Sequence, residues 1–190
     1  QGANSIAGAI IVNTKDPSFT PEGSMRLQYG ENSSRRASVA YSAPISEDLS
    51  ARIALDYSAR DTFIDYVNPA FTKGETDQDF ESFEARAKIL WRPSALPGFE
   101  AKLTFSHKDT NRPTTEAASL PYDDLESTTL GMPSWDQRSN TTIADVSYEF
   151  DSGIRIVNQL QYTDLFTHRA AEPEANGGAF INLEDLSNET

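Results

Sequence analysis

Phe83-Glu84-Ala85-Arg86-Ala87-Lys88-Ile89-Leu90-Trp91 alternates apolar and charged residues over most of its length. Side chains of an extended chain flip faces at every residue, so this stretch predicts a strand with one apolar and one charged face. The same alternation recurs on both sides of it. Ala37, Val39, Tyr41 and Ala43 precede it, followed by Ala51, Ile53, Leu55, Tyr57 and Ala59. Phe99, Ala101, Leu103 and Phe105 come after it. Then come Thr142, Ala144, Val146, Tyr148 and Phe150, and finally Ile154, Ile156, Asn158, Leu160 and Tyr162. Asn158 is the misfit of this face. Arg52, Asp56, Glu100, Lys102, Asp145, Glu149, Arg155, Gln159 and Gln161 occupy the interleaved positions. A further strand at 23–31 carries Met25, Leu27 and Tyr29 on one side. The fold class is therefore all-β, with about seven strands.

These alternating runs are longer than the five or six residues usual in soluble proteins and match the roughly 9–11 needed to cross a bilayer at a tilt. The connections alternate short and long. Segments 44–48, 93–98 and 151–153 are short, whereas 61–82, 110–138 and 168–190 are long. Outer-membrane barrels have short periplasmic turns and long extracellular loops. Aromatic residues gather at both strand ends: Tyr41, Trp91, Phe99, Tyr148 and Phe150 near the short turns, and Tyr57, Phe63, Phe83, Phe105, Tyr162 and Phe166 near the long loops. Two such bands suit the two membrane interfaces. The competing reading is a soluble β-sandwich, in which the apolar face packs inward. Strand length and loop order favour an antiparallel transmembrane β-barrel fragment. Seven strands cannot enclose a water-filled lumen, so further strands are expected elsewhere in the protein.

Composition is consistent with this. Only 37% of the 190 residues are hydrophobic, and no apolar run approaches the ~18 residues of a membrane-spanning helix. There is no cysteine, which removes disulfides and thiolate chemistry. The net charge of −13 argues against nucleic acid as a partner, because nucleic acid calls for a basic face. Nearly all of that charge falls in the three long loops, where it favours a neutral or cationic substrate over a strongly anionic one. The chain begins at Gln1 without an apolar leader and is expected to be part of a longer protein.

The N-terminal stretch reads Gly2-Ala3-Asn4-Ser5-Ile6-Ala7-Gly8-Ala9-Ile10-Ile11-Val12-Asn13-Thr14-Lys15-Asp16-Pro17. Small residues lead into a short apolar strand that stops at a proline, which has no amide to donate and suits a strand end. This stretch resembles the end of the plug domain of TonB-dependent receptors. The matching positions are Gly8, Ala9, Ile10, Val12, Thr14, Lys15 and Pro17. The resemblance divides the chain into the end of a plug domain (1–18) and the N-terminal part of a barrel (19–190). It implies a barrel of 22 strands around a plug, in the outer membrane of a Gram-negative bacterium. It also implies import of a scarce nutrient: a ferric siderophore or other metal chelate, or an oligosaccharide. The implied partners are the inner-membrane TonB complex, the substrate, and outer-membrane lipid and lipopolysaccharide. The alternatives are a passive porin-like barrel and a soluble β-rich binding module.

Candidate chemistry is sparse. Tyr66, Phe71, Tyr122 and Trp135 lie in the long loops, where aromatic rings either stack on a substrate or pack the loops together. Asp77, Asp79 and Glu81 alternate as Ca²⁺ ligands do, although a solvated acidic loop has the same pattern. His107 and His168 have no serine or cysteine constellation beside them and read as polar rim residues. Glu84 and Glu100 suggest a carboxylate pair, but the cations between them point to cross-strand pairing along a charged wall. No catalytic residue and no cofactor is expected, and the chain does not read as an enzyme.

Overall fold

The computed structural model describes residues 13–71, 79–114, 116–132, 134–169 and 178–190. Eight strands form one antiparallel sheet in simple up-and-down order: β1 (Glu22–Tyr29), β2 (Arg35–Pro44), β3 (Leu49–Arg60), β5 (Phe80–Trp91), β6 (Phe99–Pro113), β8 (Ser134–Glu149), β9 (Arg155–Arg169) and β10 (Ala179–Glu189). Two short strands, β4 (Asp65–Tyr66) and β7 (Glu126–Ser127), pair with each other in parallel. A single turn of 3₁₀ helix, Tyr122–Asp124, precedes β7. The sheet is open, with β1 and β10 at its edges. Among the described residues no helix is long and apolar enough to cross a membrane.

The expected seven strands are present, and β10 adds an eighth. Segment 168–190, expected to be a loop, therefore contains a strand. Its alternation breaks midway, because Ile181 and Leu183 lie on one face while Phe180 and Leu186 lie on the other. As an edge strand, β10 is held by its backbone ladder to β9, which no side-chain pattern reports. The segments expected as loops at 61–82 and 110–138 are also shorter than predicted. β5 begins at Phe80, β6 runs on to Pro113, and β8 starts at Ser134. Beyond the apolar zone both faces become polar. Alternation fades there, yet pairing continues through Asp109 with Arg138 and Asn111 with Asp136.

Register puts the two faces in order. Met25, Val39, Leu55 and Ala85 are successive partners across β1, β2, β3 and β5. Ile89, Leu103, Ala144 and Leu160 are partners across β5, β6, β8 and β9. These positions form one continuous apolar face with no described residue packed over it. Met25, Leu27, Ile53, Leu103 and Val146 are all exposed, Leu103 at 48%. The opposite face is polar and yet more buried: Ser42, Ser50, Thr104, Ser147 and Lys88 are among the least accessible side chains. Burial is thus inverted relative to a water-soluble sandwich, where the apolar face is the covered one.

The antiparallel order places the turns at 44–48, 93–98 and 151–153 at one sheet end and the long loops at the other, together with the short β1–β2 turn at 30–34, whose Asn32 carbonyl accepts from Asp61 N–H (2.8 Å). The turns also bond to one another. Arg92 N–H donates to the Asp48 carbonyl (2.8 Å), and Ser94 N–H donates to the Asp48 carboxylate (3.0 Å). Glu149 N–H donates to the Gly98 carbonyl (2.9 Å). Gly98 has φ +86°, and a Cβ built there would collide with the Glu149 carbonyl oxygen, so only glycine fits. Asn158, the misfit, has partners at the sheet edge. Its amide donates to Asn188 Oδ1 (3.0 Å), the Glu189 carbonyl (3.1 Å) and Thr190 Oγ1 (2.7 Å).

Candidate functional site

The polar face is a wall of ion pairs and hydrogen bonds that cross from strand to strand. Arg36 meets Asp56 (2.9 Å), Arg52 meets Glu22 (3.4 Å), and Lys108 meets Glu84 (2.8 Å). Gln159 donates to Asp145 (2.6 Å), and Arg86 donates to Ser106 Oγ (3.1 Å). Lys108 with Glu84, Arg86 with Ser106 and Gln159 with Asp145 are directly opposite in their antiparallel pairs, Arg36 reaches Asp56 diagonally, and Arg52 reaches Glu22 across Ser42 of the strand between. Glu84 and Glu100 do not act together. Glu84 pairs with Lys108 and Glu100 with Arg92 (2.7 Å). The span from Glu100 to Lys108 is roughly 27 Å along a strand.

The segment before β1 rests on this wall. Lys88 donates to the Thr14 carbonyl (2.8 Å) and to Asp16 (2.8 Å), Lys102 reaches the same carboxylate (3.2 Å), and Ser18 N–H donates to Ser42 Oγ (2.7 Å). Pro17 is buried there. Partial burial alone would raise the Asp16 carboxyl, but the hydrogen bonds and charges of Lys88 and Lys102 outweigh it and hold the group below its ordinary value. Thr14, Lys15 and Pro17 of the plug-like motif fall in this region. Gly8, Ala9, Ile10 and Val12 lie outside the described residues.

At the opposite sheet end the two long loops fold together. Parallel pairing of β4 with β7 is extended by Asp65 N–H to the Leu125 carbonyl (2.9 Å) and Val67 N–H to the Ser127 carbonyl (3.0 Å). The Asn68 amide donates to the Thr128 carbonyl (2.8 Å). Ile64 and Met132 are buried within this cap. Arg60, at the end of β3, ties it to the wall. Its guanidinium grips Glu116 through two bonds (2.9 and 2.6 Å) and lies 3.8 Å over the Phe80 ring. Burial pushes the Glu116 carboxyl upward, but the hydrogen bonds and charge of Arg60, with hydrogen bonds from Thr62 and the Phe63 backbone, together outweigh it and hold the group below its usual value.

The four loop aromatics do not converge. Tyr66 and Phe71 stack on each other with ring centres 4.6 Å apart, so their faces serve to pack the cap. Burial raises the Tyr66 phenol above its ordinary pKa. Trp135 belongs to β8 rather than to a loop, with the Arg112 guanidinium 5.5 Å from its ring centre. Tyr122 is exposed in the 3₁₀ turn.

The acidic triplet divides as well. Asp79 accepts from Thr62 N–H (3.2 Å), Glu81 accepts from the Tyr57 hydroxyl (2.8 Å), and Asp77 lies outside the described residues. Among the described residues no group of three His, Cys, Asp or Glu side chains is placed to hold a metal. His107 Nδ1 lies 2.8 Å from Asn140 Oδ1, and His168 stacks on Phe180 with ring centres 4.3 Å apart. Both lie toward the long-loop end of the sheet.

No known family model matches the chain, and no solved structure matches it significantly.

Two contacts of consequence have little trace in the sequence. Glu116 is a lone acid among small and polar residues, and its partner Arg60 lies 56 positions away. Asp16 sits in the plug-like motif, but its lysines are 72 and 86 positions off. The regular placement of Lys88 and Lys102 on the polar face was the available signal.

Proposed function

We propose that this chain is the end of a plug and the first part of the barrel of a TonB-dependent outer-membrane receptor. Such a protein imports a scarce nutrient, a ferric siderophore or other metal chelate, or an oligosaccharide, and is not an enzyme. The observation that carries the reading is the inverted sheet: an uncovered apolar face opposite a polar face on which the segment before β1 rests. On β3 the apolar face runs unbroken from Leu49 to Tyr57 and ends at the buried Ala59. At ~3.4 Å per residue and a tilt of ~40°, that stretch stands about 21 Å tall, close to the ~25 Å lipid-facing band of outer-membrane barrels. A soluble module would leave this face in water at a large cost.

On this reading the polar face lines the lumen and the paired long loops face the cell exterior, next to lipopolysaccharide. A plug ahead of Asn13 would couple to the inner-membrane TonB complex. The test is uptake by whole cells producing the full-length protein, with a panel of labelled ferric siderophores and oligosaccharides. The receptor reading predicts uptake of one of them that stops when a protonophore collapses the proton gradient. Uptake indifferent to the protonophore favours a passive porin, and a full-length protein that is folded and monodisperse without detergent contradicts both membrane readings.

A further inference from the structure

A cavity of about 480 Å³ opens on the polar face, with a lining drawn from β1, β2, β3, β5, β6 and β8. In a flat sheet these six strands would spread over about 24 Å, so one shared cavity means that the sheet curls with its polar face inward. Small residues create the space. Ser24, Ala40 and Ala54 stand in one cross-strand row with Arg86, followed by Ser106 and Thr141. Arg86 thus rises from a row of short side chains.

The charges of this cavity do not cancel. Asp56 is already paired with Arg36, and Glu84 with Lys108. Arg26 and Arg86 have no carboxylate within ion-pair distance among the described residues; Arg86 meets only the Ser106 hydroxyl. Two guanidiniums therefore face a space bordered by the hydroxyls of Ser24, Ser38, Ser106, Ser139 and Thr141. A guanidinium recognises a carboxylate through a planar fork, and hydroxyls donate to or accept from polyol groups. The volume falls in the range of small-molecule sites.

We propose that this cavity is a binding site for a small hydroxylated carboxylate, of the size and chemistry of a sugar acid, with Arg86 holding the carboxylate and Arg26, three strands away at the sheet edge, adding positive charge. The inference rests on reading the polar face as a barrel lumen. The acidic loops disfavour a highly charged anion but leave a singly charged acid room to enter. Arg86 lies ~20 Å along β5 from its loop end, more than two screening lengths at physiological salt.

The test uses gluconate as the probe and glucose as its uncharged counterpart, titrated calorimetrically into the full-length protein in detergent micelles. Heat-modifiable migration in SDS gels is checked first for every variant, because it reports a folded membrane barrel independently of any ligand. The expected result is gluconate binding that Arg86→Gln weakens about tenfold or more and Arg26→Gln weakens less. Arg86→Lys should retain part of it, and Arg155→Gln, outside the cavity, should leave it unchanged. Glucose should bind far more weakly. A heat-modifiable wild-type protein that ignores gluconate overturns the proposal, as does a heat-modifiable Arg86→Gln variant that binds it normally, or equal binding of glucose. A wild-type protein lacking heat-modifiability overturns the barrel reading itself, and the lumen site with it.

Discussion

Lys88 donates to the Asp16 carboxylate at 2.8 Å from a side chain only 6% exposed. A nearly buried ammonium requires acceptors, and Lys88 draws both of its own from the segment ahead of β1: the Asp16 carboxylate and the Thr14 carbonyl. Lys102 reaches the same carboxylate from the next strand. The segment and the polar wall therefore behave as one electrostatic unit, and detaching the segment strands Lys88 and leaves Lys102 with Asp145 at 3.8 Å.

Asp16→Asn should loosen this attachment by on the order of 1–2 kcal/mol, since the carboxylate is itself half in solvent. The measurement is hydrogen exchange at the Ser18 amide, which donates to Ser42 Oγ in the intact contact. Exchange should be about tenfold faster in the variant. The pH dependence follows from the sign of the Asp16 shift. Its carboxyl is held below the ordinary value, so its contribution is complete above the ordinary carboxylate range and fades as pH falls through the lowered value. Relative to an unstructured amide at the same pH, Ser18 should therefore exchange faster in acid in the wild type but not in Asp16→Asn.

Charge on the apolar face should be costly where charge on the polar face is not. Leu103→Arg should destabilise the full-length protein in lipid vesicles by about 2–4 kcal/mol, the penalty of a cation near the bilayer midplane. Gln159→Arg, on the polar face beside Asp145, should change stability by less than about 0.5 kcal/mol. Urea unfolding in vesicles measures both, and equal penalties would contradict the assignment of faces.

Two turn glycines provide an internal control. Both have positive φ, +86° at Gly98 and +81° at Gly153, but a Cβ at Gly153 meets nothing while one at Gly98 strikes the Glu149 carbonyl. Gly153→Ala should cost about 1 kcal/mol of conformational strain. Gly98→Ala should cost at least about 2 kcal/mol, since the turn must also move away from β8. The same unfolding experiment ranks them.

Glu116→Gln should free the cap from the wall by removing the charged half of the Arg60 fork. The amides of Asp65 and Val67, bonded to Leu125 and Ser127, should then exchange about tenfold faster, corresponding to roughly 1–2 kcal/mol. Because the Glu116 carboxyl is held below its usual value, acid should reproduce the effect in the wild type, read as exchange relative to an unstructured amide at the same pH, as pH falls below the ordinary carboxylate range.

The sheet was legible because long apolar–polar alternation places one residue type on each face. Ile89, Leu103, Ala144 and Leu160 could be assigned to one face before any register was known, and register then joined them. Legibility ended where that contrast ends. Past His107 and Asn140 both faces are polar, so the outer halves of β6 and β8 read as loop although their ladder continues. β10 went unread because its apolar residues change faces between Leu183 and Leu186. At the candidate site, loop aromatics were visible as residues but not as partners: Tyr66 meets Phe71, whereas Tyr122 stands apart. The Arg86 cavity was hidden for a different reason. It is made by the smallness of Ser24, Ala40 and Ala54, and absent bulk becomes a feature only once the strands are in register.

The central claim is that the apolar face meets lipid and the polar face does not. The direct measurement is fluorescence quenching by brominated lipid. Single cysteines are placed in the cysteine-free sequence, labelled with an environment-sensitive fluorophore, and the full-length protein is reconstituted into bilayers. Labels at Ile53→Cys, Leu103→Cys and Val146→Cys should be strongly quenched. Labels at Ala54→Cys, Thr104→Cys and Ser147→Cys, one residue along the same strands, should not. Quenching that fails to alternate, or that is stronger at Ala54, Thr104 and Ser147, would contradict the barrel reading.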